Sequence, residues 1–192
     1  MGRKKVIDDE TLLEHARAVF LRRGAFGSTK EIAERAGISE AVIFKRYPTK
    51  AKLFLAALLP PDIDPTSLVA NEIEDPRAAL QATGERLLGY FREVIPSAMH
   101  LMSNPAITMA DIASHFDTGS VDSIAKALTA FLETRAARGQ LRTQAPMASA
   151  SLFVAGLHSL ALYEMMGLHG GADMGHAIPH FVDALWSGLA PP

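Results

Sequence analysis

From Thr29 to Lys50 the chain reads TKEIAERAGISEAVIFKRYPTK, two short helical runs separated by one glycine and closed by a proline among basic residues. Ile32, Ala33 and Ala36 share a face at spacings of three and four, and Ser28 with Glu31 gives the S-x-x-E signature of a capping box, so a helix is predicted from Thr29 to Ala36. Gly37 stops it, because glycine takes the left-handed turn conformation without the cost a Cβ adds. Ser39 is placed to cap a second helix. There Val42, Ile43 and Tyr47 anchor one side, while Glu40, Ala41, Phe44, Lys45 and Arg46 are partly or wholly free to face outward, and Pro48 ends the run. Ala33 is small where the two helices cross, and Ile43 packs beneath the crossing. That spacing is what a tight helix-turn-helix for DNA requires. The competing interpretation is an ordinary helical hairpin with a solvated charged face; the motif and its context argue against it.

Charge divides the chain in the same place. Residues 1–54 hold 12 Lys or Arg against 7 Asp or Glu, a balance of +5, whereas residues 55–192 hold 7 against 14, a balance of −7. A basic front concentrates the counterion-release contribution to polyanion affinity, and an acidic body keeps the docking one-sided. The absence of cysteine excludes disulfides and thiolate metal sites and suits a reducing cytoplasm. The opening MGRKKVIDDE turns acidic where an export signal would need an apolar stretch, so a cytoplasmic location is expected.

Helical periodicity runs through the rest, which predicts an all-α chain. A first helix, Ile7 to Arg23, puts Leu12, Ala16, Val19 and Phe20 inward. A connecting helix, Lys50 to about Leu59, is apolar at Leu53, Phe54, Ala57 and Leu58 and is broken by PPDIDP, residues 60–65. Asp75-Pro76 is a cap followed by proline at the first helical position, with Leu80, Leu87, Phe91 and Val94 inward. Residues 96–116 are expected as one or two short helices interrupted at Asn104-Pro105. Val121, Ile124, Leu128, Phe131 and Leu132 define a long amphipathic helix whose last turn carries Arg135 and Arg138 before Gly139, cations that suit the helix dipole. Thr143 to Tyr163 carries no formal charge, but its Pro, Ser and His content and lack of a basic flank argue against a membrane span. A helix apolar on most sides is instead one buried from more than one direction. A last helix, Met174 to Leu189, places Ile178, Phe181, Val182, Leu185 and Leu189 on one face. With Leu160 of the preceding helix, these predict a four-helix interface between two copies.

The run AGISEAVIFKRYPTKAKLF, with the basic arm and first helix before it, resembles the N-terminal region of tetracycline-repressor-like (TetR family) transcriptional regulators. The specific match covers about the first 55 residues. The resemblance implies a three-helix DNA-binding domain over residues 1–49 and a helical ligand-binding and dimerisation domain over 50–192. It implies a homodimer on an inverted-repeat operator of double-stranded DNA, acting as a repressor released by a small molecule. The DNA contacts expected are Ala41 and Val42 at base edges with Lys45 beside them. Thr29, Ser39, Phe44, Arg46, Lys50 and the arm Arg3, Lys4 and Lys5 complete the set. Where similar proteins commonly carry a tyrosine able to reach a phosphate, this chain has Phe44, which puts that one contact in doubt.

The run VIPSAMHLMSNPAITMADIASHF, residues 94–116, is broken by prolines, rich in methionine and carries Asp111 as its single formal charge. Thioethers on short helices pack adaptably around a ligand. Met99, Met102, Ile112 and Phe116 are therefore candidate pocket residues, with His100 or His115 as a polar anchor and Phe91, Leu128, Phe153 and Leu157 as walls. They imply a mostly apolar effector whose binding shifts the connecting helix at Lys52 to Leu59. His176 and His180 stand at i, i+4, yet no H-E-x-x-H arrangement accompanies them, so no metal is expected. No nucleophile elbow, phosphate loop or dinucleotide fingerprint occurs, so neither an enzyme nor a cofactor is indicated. Two alternatives stay open: a constitutive DNA-binding protein without ligand control, and a ligand-binding or enzymatic domain whose helix-turn-helix has lost its target.

Overall fold

The computed structural model describes residues 7–60, 63–113, 121–168 and 174–189. It is 77% helical and contains no strand among the described residues, in agreement with the periodicity. The chain forms two compact units. One comprises residues 1–60 with 96–115, the other 61–95 with 116–192.

In the first unit α1 (Asp9–Arg23) starts at Asp8, whose carboxylate accepts the Thr11 amide at 2.7 Å. That hydrogen bond holds the Asp8 carboxyl below its ordinary pKa. Leu12, Ala16, Val19 and Phe20 are its buried residues, as their spacing predicts. α2 (Thr29–Ala36) buries Ile32, Ala33 and Ala36 and ends at Gly37 with φ +67°, the left-handed value that calls for glycine. The capping box is only half formed. Ser28 Oγ accepts the Lys30 amide at 3.2 Å, but the Glu31 carboxylate turns to Arg22, to Arg23 at 3.0 Å and to Arg35 at 3.7 Å. Guanidinium groups outcompete one backbone amide for a carboxylate because both partners carry charge. α3 (Glu40–Arg46) buries Ile43, and Ser39 occupies its N-cap position without a side-chain hydrogen bond. α4 (Lys50–Leu58) packs Phe54 against Phe20 with ring centroids 4.7 Å apart.

α5 (Pro76–Met102) differs from expectation. Its start is capped as predicted, the Ala78 amide donating to Asp75 at 2.6 Å. The helix then continues through Pro96, where the sequence predicts a break, and supplies residues to both units. Proline removes one backbone donor, but Ile95, Ser97 and Leu101 are buried around it, and that packing sustains the helix. Ile95 rather than Val94 takes the inward position. The interruption at Asn104-Pro105 is present, with Asn104 Oδ1 accepting the Ala106 amide at 3.0 Å, and α6 (Met109–Ala113) follows.

The second unit is built from the first part of α5 with α7 (Val121–Ala137), α8 (Pro146–Met165) and α9 (Ile178–Leu189), the last entered through a 3-10 turn at Met174–Ala177. Its core gathers Leu87, Phe91, Leu128, Phe153, Leu157 and Ile178. Arg135, expected in the last turn of α7 as a cation suited to the helix dipole, is only 3% exposed. It donates to the carbonyls of Ile73 at 2.6 Å, Glu74 at 2.9 Å and Asn71 at 3.3 Å, and lies 5.2 Å from the Phe131 ring centroid. A buried cation thereby ties residues 71–74 to α7.

Two glycines set the closeness of the helices. A Cβ on Gly84 would lie 2.9 Å from Ile178 Cγ2, and one on Gly156 would run into the ring of Phe181. Gly156→Ala is therefore expected to destabilise the chain by about 1–3 kcal/mol through overpacking. Urea unfolding should register the loss. The loss should shrink in a Phe181→Ala background, where the ring has already gone.

Candidate nucleic-acid interface

The candidate site lies on α2, α3 and the start of α4. α3 is oriented by Ile43, which is fully buried, so Ala41, Phe44 and Lys45 on its other side are exposed and Val42 is half-buried. The orientation follows from local sequence. A seven-residue helix with one deeply buried position leaves most of its perimeter to solvent. Phe44 is 40% exposed, partly outward as its place in the motif suggests.

Other expected contact residues have partners within the chain. Thr29 Oγ1 donates to Glu40 at 2.6 Å, joining the start of α2 to the start of α3. Lys50 Nζ donates to the Ala25 carbonyl at 2.6 Å. Arg46 donates to Asp9 at 2.9 Å and to the Ile7 carbonyl at 2.6 Å, so its guanidinium braces α1 instead of standing free beside Lys45. Ser39 is exposed. Arg3, Lys4 and Lys5 lie outside the described residues. Sequence reading missed the Thr29–Glu40 and Arg46–Asp9 pairs, since their partners lie 11 and 37 residues away and no local spacing signals them.

The expected ligand residues divide between the two units. Met99, His100, Met102 and Ile112 belong to the first, while Phe91, Leu128, Phe153 and Leu157 are buried together in the second. Met99 and Met102 are exposed, Ile112 is buried, and a His100 ring nitrogen lies 3.1 Å from the Leu21 carbonyl oxygen. His115 and Phe116 lie outside the described residues. A residue not anticipated as part of the apolar set is His158, whose ring meets Phe91 edge-on at 5.2 Å. Burial lowers its pKa below the ordinary histidine value. Its place one residue after Leu157, on an otherwise apolar helix, was the available signal.

Of the expected interface residues, Ile178 and Val182 are 2% and 1% exposed within one chain and point into its own core. Leu160, Phe181 and Leu185 are half-buried, and the Leu189 side chain lies outside the described set. An exposed apolar row lies on α8 at Ala148, Leu152, Ala155 and Tyr163, with Leu152 71% exposed, and Met166 just past the helix end is exposed too.

Residues 12–57 match the family model described as bacterial regulatory proteins, tetR family. No curated protein matches the chain. Among solved structures, the chain is similar to a Mesorhizobium loti protein assigned to the TetR-family transcriptional regulators, with 19% identity, a TM-score of 0.76 and coverage of 95% of this chain and 96% of that one. It is similar to the TetR-family regulator PfmR of Thermus thermophilus at 18% identity and TM-score 0.67, covering 92% and 97%. The regulator FadR of Bacillus subtilis, solved in complex with stearoyl-CoA, is similar at 14% identity and TM-score 0.66, covering 94% and 99%. The helix-turn-helix segment is thus matched by the tetR family model over residues 12–57, and along nearly the whole sequence the chain has the fold of these solved regulators.

Proposed function

We propose that this chain is a cytoplasmic, sequence-specific DNA-binding transcriptional regulator, a homodimeric repressor released from an inverted-repeat operator by a mostly apolar small molecule. Residues 1–49 carry the DNA-binding role and residues 50–192 the ligand and dimer roles. The observation that carries the reading is the α3 surface, a helix seated on Ile43 with Ala41, Phe44 and Lys45 presented to solvent from a basic module. Selection of fragments from random duplex DNA tests it. An enriched inverted repeat is the expected result, and no enrichment, or enrichment of a single asymmetric site, would sink it.

Dimerisation is supported by α8, which is apolar enough and long enough to cross a membrane by length and composition, yet only 28% of that stretch is buried within the chain. A second copy packed on the Leu152 row would cover the remainder. The effector reading is supported by the apolar cluster of Phe91, Leu128, Phe153 and Leu157 beside a histidine that burial keeps neutral. An acyl chain of the kind bound to FadR would suit such walls. The tight seats at Gly84 and Gly156 favour the second reading, constitutive DNA binding without ligand control, because they mark places where helices already touch. Retention of operator binding across a panel of apolar compounds would favour that second reading.

Four outcomes are expected. Lys45→Ala should weaken operator binding about tenfold near 0.1 M salt and lower the salt slope by about one, with an unchanged melting temperature. Arg46→Ala should lower the melting temperature, since it loses its ties to Asp9 and Ile7. A mobility-shift titration with parallel thermal unfolding separates the two. Leu152→Glu should yield monomers in analytical ultracentrifugation. Finally, the lowered pKa of His158 means the folded chain binds fewer protons than the unfolded chain once pH falls below about 6.5. Stability should therefore decline as pH drops from that value through the folded pKa, and His158→Gln should flatten the decline in melts between about pH 5 and 8.

A further inference from the structure

Phe26 is 93% exposed, more than any other large apolar side chain among the described residues. It closes a 3-10 turn, Gly24–Phe26, between α1 and α2. A lone exposed apolar residue is ordinary, but this one is held out by a turn that is fixed from several sides. Gly24 has φ +56°, and the Gly27 amide donates to the Gly24 carbonyl at 3.1 Å. Lys50 Nζ grips the Ala25 carbonyl at 2.6 Å. A Cβ on Gly27 would lie 2.8 Å from Phe20 Cδ1 and 3.0 Å from Val19 Cγ1, so the backbone there lies flat on α1. Tucking the phenyl ring inward would require these contacts to be given up.

The surroundings indicate what the ring meets. Residues 22–52 hold eight Lys or Arg against three Asp or Glu. Of those carboxylates, Glu31 is taken by Arg22, Arg23 and Arg35, and Glu40 by Thr29. The turn is tied to the start of α4 through Lys50 and runs directly into the start of α2, which Thr29 joins to the start of α3. On the DNA-binding reading above, a duplex seated along α3 would carry its sugar-phosphate backbone past the turn. Between successive phosphates that backbone presents the C–H face of deoxyribose, which accepts an apolar ring where a cation would serve only the phosphates.

We propose that Phe26 packs its ring on a deoxyribose face of the operator backbone and supplies a salt-independent part of the affinity. This rests on the DNA-binding reading above. The experiment uses the full chain and the duplex fragments it enriches from a random library, with Kd measured by fluorescence anisotropy over about 50 to 300 mM salt. Phe26→Ala should bind about five- to tenfold more weakly at every salt concentration, on a line parallel to wild type, and Phe26→Leu should recover most of the loss. The melting temperature should not move, because the side chain touches little of its own protein. A Phe26→Ala Kd equal to wild type would overturn the proposal. So would a changed salt slope, or a shift in dimer fraction that shows the ring meeting protein instead. Lys45→Ala separates the two claims. If it weakens binding while Phe26→Ala does not, only the Phe26 contact falls; if wild type enriches no DNA, both readings fall.

Discussion

The ring of Phe20 carries the first unit. It is fully buried, lies 4.7 Å from the Phe54 centroid, and leaves no room for a side chain on Gly27. α1, α4 and the turn leading into α2 thus share one support. Because interiors are packed like crystals, a displacement of that ring cannot be absorbed locally and must pass to all three. Phe20 thus fixes α1, α4 and the entry to α2 together, and the start of α3 joins them through the Thr29–Glu40 hydrogen bond.

Apart from Lys50, which is tied to the Ala25 carbonyl, charge in that unit is sorted by residue type. Arg17 donates to the buried Ser97, Arg22, Arg23 and Arg35 surround Glu31, and Arg46 holds Asp9 and the Ile7 carbonyl. The planar guanidinium, with its several fixed donors, is well suited to such intramolecular ties. Lys30, Lys45 and Lys52 are point charges on flexible stems, and all three stay exposed. The +5 balance of residues 1–54 therefore overstates what the arginines offer a polyanion, and the lysines carry more of the accessible charge than their number suggests.

The short helices of the first unit were legible because each is bounded by local chemistry. Asp8, Ser28, Thr49 and Gly37 mark ends that depend on nothing far away. α5 was less legible. Pro96 is a helix breaker by local rules, and only the burial of Ile95, Ser97 and Leu101 overrides it, which depends on the three-dimensional surroundings. The same limit applies to the candidate site. An apolar stripe announces that Ile178 and Val182 are covered, but periodicity does not say whether their own chain or a second one covers them. Nor does it say that the Arg46 guanidinium turns to Asp9, or that Thr29 meets Glu40.

α8 illustrates why that ambiguity matters. Toward α9 it is fully committed, since Gly156 admits the Phe181 ring and Phe153 lies 5.7 Å from the same ring. Away from α9, the row from Ala148 through Leu152 and Ala155 to Tyr163 is apolar and exposed. The two sides differ in what fixes them: the inner one is held by intramolecular packing whatever the protein concentration, whereas the outer one loses its apolar exposure only by association. If the outer row is the proposed dimer face, assembly and folding stability are linked by mass action, and the unfolding midpoint rises with protein concentration. Two recognition helices would then be held in a two-fold arrangement by the same helix that anchors the interior of each chain.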